Sequence, residues 1–141
     1  MSASGRRSPS GYRGATVEGI HVATVLIIED DEKSRRLLSD VLGFHGYTVL
    51  QTDRGEEGME MLNASDVAVV LMDIQLPGIS GFEALSLIRA SARLRATKVI
   101  AVTASVMDTD RKRIFEAGFD GYVPKPVNLK ELLGTVGRLA G

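Results

Sequence analysis

From residue 23 onward the chain alternates two kinds of segment. Uninterrupted apolar runs stand at residues 24–28 (TVLII), 67–72 (VAVVLM) and 98–103 (KVIAVT), with weaker ones at 47–51 and 121–123. Runs that are apolar at every position and rich in β-branched residues suit strands buried on both faces, as in a parallel sheet. Helical patterns lie between them. Leu37, Leu38, Val41 and Leu42 fall on one helical face, and that stretch ends at His45-Gly46, where glycine takes a left-handed cap. Phe82, Leu85 and Ile88 repeat at three-residue steps in a third helix, as do Leu129, Leu132, Leu133, Val136 and Leu139 in the last. The last helix opens with Asn128-x-x-Glu131, an N-cap signature. Strand and helix therefore alternate five times. That order predicts an α/β domain, a doubly wound five-stranded parallel sheet in the order 2-1-3-4-5 with helices on both faces.

The first 22 residues break this pattern. They are rich in Gly and Ser and carry Arg6, Arg7 and Arg13 against Glu18, which predicts a disordered or loosely attached tail before a single domain over 23–141. Of the 141 residues, 17 are basic and 18 acidic, so the formal charge is -1; without the tail, 14 basic and 17 acidic residues remain. This is no basic nucleic-acid footprint, and an acidic domain accommodates a cationic ligand. Absence of cysteine excludes a disulfide framework, a thiolate metal site and a cysteine nucleophile, and fits a reducing compartment. No apolar run reaches the 18 or so residues of a membrane span, and the N-terminus lacks the apolar stretch of a secretory signal; the expectation is a cytoplasmic protein that meets neither membrane nor nucleic acid directly.

Chemistry concentrates where the strands end. In an open parallel sheet, ligands bind outside the carboxyl ends of the strands, near the reversal of strand order. There, strand 1 runs into Glu29-Asp30-Asp31, strand 3 into Asp73, strand 4 into Thr103, and strand 5 is followed by Lys125-Pro126. Two carboxylates about 4 Å apart repel by roughly 4 kcal/mol at an effective dielectric of 20, so a cation must share the site. Carboxylate oxygens without His or Cys select a hard ion, and one or two firm carboxylates completed by water and phosphate suit Mg2+ better than Ca2+. Lys125 is a point charge for a phosphate oxygen, and the Thr103 hydroxyl donates to another. The constellation reads as a phosphoryl-transfer site with Asp73 as nucleophile, because Asp73 leaves the central strand beneath the open loop IQLPGISG.

In this order and at these spacings, IIEDDEKSRRLL, LMDIQLPGISGFEAL, IAVTAS and GYVPKPV closely resemble the response-regulator receiver family of two-component signalling, over essentially all of residues 23–141. The resemblance implies a flavodoxin-like (βα)5 receiver fold. It implies that Asp73 is phosphorylated by a histidine kinase or histidine phosphotransfer protein. It implies Mg2+ on Asp30, Asp73 and the Gln75 backbone carbonyl, with Glu29 reached through water. The phosphate would be bound by Thr103, Lys125 and the Ala104 backbone, Thr103 and Tyr122 would be the switch pair, and the peptide before Pro126 would be cis. Gln75 and Ser105 stand at positions that set the phosphoryl lifetime in the family. Two departures are a leading Glu29 where Asp is commoner, and a third acid, Asp31. Within the family, MDIQLP, IAVTA and a stop after the fifth helix are most similar to single-domain regulators of cell-division and polarity control, so output is expected through contact with a downstream protein partner or by phosphate relay to a histidine phosphotransfer protein. A receiver excised from a hybrid histidine kinase or a larger regulator is the alternative. The expected activity is self-catalysed phosphorylation and dephosphorylation of Asp73, not conventional enzymology.

Several residues have plainer readings. Asp31 is expected to cap the first helix, and His45 to be structural. Arg89, Arg93, Arg95 and Lys98 read as a solvated helix-to-strand connection. Gly55 and Gly58 around Glu56-Glu57 make no nucleotide loop, since no buried strand feeds a Gly-rich turn there. The switchable surface is expected to expose Val106, Met107, Phe119 and Tyr122. An aspartyl phosphohydrolase is disfavoured, because Gln75 stands where its acid/base carboxyl belongs. A flavin phosphate would be repelled by Glu29, Asp30 and Asp31.

Overall fold

A computed structural model describes residues 16–17, 20–21, 23–104 and 108–140. Five strands, β1 (Thr24–Ile28), β2 (Thr48–Thr52), β3 (Val69–Asp73), β4 (Lys98–Thr103) and β5 (Gly121–Pro124), alternate with five helices, α1 (Glu32–Phe44), α2 (Gly55–Ala64), α3 (Gly81–Ala90), α4 (Asp108–Ala117) and α5 (Leu129–Ala140). All neighbouring strands are parallel, in the spatial order β2-β1-β3-β4-β5. Ahead of the sheet, Thr16–Val17 and Ile20–His21 form a short antiparallel pair.

Side-chain alternation divides the core. Val25, Ile27, Val69, Leu71, Ile100, Val102 and Val123 face Leu38 and Leu42 of α1 and Leu132 and Val136 of α5. Leu26, Ile28, Val70, Met72, Val99 and Ala101 face Leu62 of α2, Leu85 and Ile88 of α3 and Ile114 of α4. Every residue of β3 is buried, which is why its sequence is apolar at each position up to Asp73.

The helix ends follow local chemistry. Asp31 accepts the Ser34 N–H at 2.9 Å and caps α1, as expected. Gly46 takes φ +93 just beyond α1, a conformation that other residues adopt only with strain. Ser80 and Glu83 form a reciprocal capping box on α3, and Asn128 accepts the Glu131 N–H at 3.0 Å to open α5.

Three expectations need correction. Leu37 is 48% exposed, because the inward stripe of α1 runs through Leu38 and Leu42. Phe119 belongs to no exposed surface: it is 4% exposed, with its ring edge-on to Phe82 at 5.7 Å. Arg89 is not a solvated connector. Its guanidinium bonds the carbonyls of Arg95, Thr97 and Gly118 and the Asp120 carboxylate, holding the start of β4 to the turn before β5.

Candidate functional site

Parallel strands deliver their ends to one edge, and the register brings the acids level. Ile28 pairs with Met72 and Asp73 with Val102, so Glu29 follows β1 beside the end of β3. Carboxylate oxygens of Glu29, Asp30 and Asp73 all lie within 4.8 Å of one another, Glu29 and Asp73 buried and Asp30 exposed. Lys125 reaches across from beyond β5, its Nζ 2.6 Å from Glu29 Oε1 and 3.1 Å from Asp73 Oδ2. Asp73 Oδ1 accepts the Gln75 N–H at 2.9 Å, and Glu29 Oε2 accepts the Asp31 N–H at 3.0 Å.

The three clustered carboxylates have one ammonium among them, paired with Glu29 and Asp73, and the electrostatics show the imbalance. Burial pushes the Glu29 carboxyl above its usual range and the nearby Asp73 adds to the rise, against the opposing pull of Lys125 and the Asp31 N–H. Burial alone would lower the Lys125 ammonium; bonds to Glu29 and Asp73 outweigh it and hold the group above its ordinary value. The contact of Lys125 with Glu29 Oε1 is a close ion pair, and the same ammonium also meets Asp73. Three clustered carboxylates, hard oxygen donors with a single ammonium among them, fit a small divalent cation.

The other expected residues fall around this edge. Thr103 is 2% exposed at the end of β4, and its carbonyl accepts the Lys125 N–H at 2.8 Å. Ala104 is exposed just beyond it. The Lys125-Pro126 peptide is cis. Tyr122 pairs with Ala101 one strand away and sits half-buried on the α4 side of the sheet, with the Arg111 guanidinium 5.4 Å from its ring centre. Ser105, Val106 and Met107 lie outside the described residues.

Some supports carried no readable signal. Arg35 donates to the Glu29 carbonyl at 2.9 Å and the Thr52 carbonyl accepts the Glu29 N–H at 3.0 Å, together fixing the backbone that aims this acid. Glu57 accepts a very short hydrogen bond from the Thr52 hydroxyl. These partners are mainly backbone atoms, which leave no trace in residue type.

A doubly wound parallel domain with an acid cluster and an opposed lysine at its carboxyl edge defines a class of α/β module. Residues 25–137 match the model of the response regulator receiver domain. The chain belongs to the response regulator receiver family and is a receiver domain of two-component signalling. It is 34% identical over 113 residues to the polar-differentiation response regulator DivK of Brucella ovis, covering 80% of this chain and 92% of that protein. A putative response regulator from Chloroflexus aurantiacus superposes with a TM-score of 0.81 at 28% identity, covering 84% of this chain and 98% of the other. The receiver domain of a Pseudomonas aeruginosa sensor histidine kinase, solved with a magnesium ion coordinated in its active site cleft, superposes with a TM-score of 0.78 at 28% identity, covering 85% and 98%. The matched proteins and regions are response regulators and receiver domains, which are signalling modules. Among the described residues no helix is long and apolar enough to cross a membrane.

Proposed function

We propose that Asp73 accepts a phosphoryl group from the phosphohistidine of a kinase or phosphotransfer protein and that the acyl phosphate resets a protein-binding surface. The observation that carries this reading is the setting of Asp73. It ends the central strand at 7% exposure, with Oδ1 held by the Gln75 N–H, Oδ2 facing Lys125, and Glu29 and Asp30 crowded against it. A carboxylate so oriented presents a lone pair to phosphorus. Its new P–O bond forms as the P–N bond breaks, and the imidazole leaves with that electron pair and takes up a proton from water. Asp30, Asp73 and the Gln75 carbonyl would hold Mg2+, with Glu29 reached through water, and the ion would supply positive charge for the phosphoryl oxygens.

Lys125 exchanges its contact with Asp73 for a phosphoryl oxygen, and the Ala104 N–H donates to another. Thr103 donates its hydroxyl to a third, a charge-assisted bond roughly twice as strong as a neutral one. Thr103 and Tyr122 share the α4 face of the sheet through the pairing of Thr103 with Pro124 and of Ala101 with Tyr122. A shift of Thr103 toward the phosphate therefore opens room for the Tyr122 ring to turn inward, which changes the contour between α4 and β5. The protein works in the cytoplasm and acts on a downstream protein, without contacting nucleic acid or membrane.

Treatment with acetyl phosphate and Mg2+ followed by intact mass analysis tests this. The native chain gains one phosphoryl group and Asp73→Asn gains none while keeping its fold. A phosphorylated Asp73→Asn variant overturns the assignment.

A further inference from the structure

The loop over residues 74–80 carries Gln75, so whatever holds this loop also aims the groups Gln75 presents to Asp73. Its foot is tied by the chain itself: the Gly81 N–H donates to the Ile74 carbonyl at 3.0 Å, and a Cβ at Gly81 would meet the Ile74 Cα at 2.7 Å. Its crest is tied by another element. Glu56, in the first turn of α2, accepts the Ile79 N–H on Oε2 at 3.2 Å. The same carboxylate lies against Gly78, where a Cβ would meet Oε2 at 2.6 Å and Oε1 at 3.2 Å. Gly78 has φ +79, so a side chain there would meet both backbone strain and the carboxylate. Beside this contact the Ile79 side chain rests on Gly55, where a Cβ would meet Cγ1 at 2.6 Å. Two glycines on opposite sides thus admit the first turn of α2 onto the crest of the loop.

We propose that Glu56 is a positioning residue for the phosphoryl-transfer site. By gripping Gly78 and Ile79 it fixes the loop in the form that places the Gln75 N–H on Asp73 and would present the Gln75 carbonyl to a cation bound there. This inference rests on the function proposed above. The Glu56 bond is exposed, so its contribution to folding is small and its effect falls on the loop. A purely electrostatic role at the start of α2 makes a different prediction, because it requires charge where the grip requires only an acceptor oxygen.

Glu56→Gln keeps the acceptor and loses the charge; Glu56→Ala loses both. The full chain is titrated with MgCl2 and followed by amide NMR shifts, with hydrogen exchange of the Ile79 amide and the melting temperature measured in parallel. For Glu56→Ala the expected results are about 10-fold weaker Mg2+ binding, the low end for residues that hold a metal's ligand from behind, faster Ile79 exchange and a nearly unchanged melting temperature. Glu56→Gln should stay within about 2-fold of the native affinity, since the amide oxygen still accepts the Ile79 N–H. Equal weakening in both variants assigns the effect to charge and overturns the grip. Native affinity in Glu56→Ala overturns the proposal while leaving the proposed function standing. A native chain that binds no Mg2+ overturns both.

Discussion

The two edges of the sheet hold opposite kinds of ion pair. At the amino edge, Arg89 spends its guanidinium donors on three carbonyls and on Asp120 Oδ2 at 2.7–2.9 Å, and the same Asp120 oxygen accepts the Val99 N–H at 2.8 Å. At the carboxyl edge, three carboxylates cluster with one ammonium, which pairs with Glu29 and Asp73. Polar groups that are fully matched hold a fold together, whereas groups left undercompensated store an attraction for something outside the chain. The same sheet thus carries a fastener at one end and a site at the other.

The largest expected effect breaks the fastener. Arg89→Ala removes the donor of three carbonyls and leaves Asp120 with the Val99 N–H. Both side chains are about a quarter exposed, 26% and 27%, so water softens the loss. A destabilisation of about 2–3 kcal/mol is expected in urea unfolding, with Asp73 still accepting phosphate from acetyl phosphate in the folded fraction. A loss below about 0.5 kcal/mol, the range of ordinary surface changes, would show that the amino edge does not depend on this residue.

The contrast also explains what could be read from residue order. β1 and β4 span the runs read from the sequence, because past a polar first residue, Thr24 or Lys98, every position is buried between the two helix layers. β3 begins at Val69, two residues inside its apolar run, with the Ala68 N–H bonded to the Thr24 carbonyl just ahead of the paired register. β2 is an edge strand with Thr48 and Gln51 exposed, so its apolar run marks it only to within one residue. Asp73 and Lys125 were legible as polar residues ending or closely following apolar runs. Arg89 was not: its partners are mostly carbonyls 6, 8 and 29 residues away, and a carbonyl belongs to every residue type. Glu56 escaped for the same reason, its partner being a backbone N–H 23 residues away.

At the carboxyl edge a substitution should have effects of opposite sign on stability and on cation binding. Glu29 has a folded pKa above the ordinary 4.5, so between these values the folded chain binds more protons than the unfolded one. Its stabilising contribution is then complete below pH 4.5 and is lost as pH rises through the folded value, about 1.4 kcal/mol for each unit of elevation. Glu29→Gln removes this term. Without Mg2+ the variant is expected to be at least as stable as the native chain at pH 7, with the difference shrinking on acidification toward pH 4.5. Added Mg2+ should raise the melting temperature of the native chain more than that of the variant. A variant clearly less stable than the native chain at pH 7 would make the Lys125 pair a net fastener and erase the distinction between the edges.

The smallest effect separates two adjacent exposed acids. Asp30 is one of the three clustered carboxylates, whereas Asp31 spends its carboxylate on the Ser34 N–H at the start of α1. Asp30→Asn should weaken Mg2+ binding and leave unfolding unchanged. Asp31→Asn should change neither at neutral pH, because asparagine caps a helix about as well as aspartate. The acid limb distinguishes them further. The Ser34 N–H holds the Asp31 carboxyl below its ordinary 3.8, so its stabilising contribution is present above pH 3.8 and fades as pH falls through the lower folded value. An amide has no such titration, and Asp31→Asn should therefore lose less stability than the native chain on going below pH 3.8. Urea unfolding at pH 3 and pH 7, with a MgCl2 titration at pH 7, checks both residues. Weaker Mg2+ binding in Asp31→Asn, matching that of Asp30→Asn, would place the third acid in the cation pocket and make the first turn of α1 part of the site.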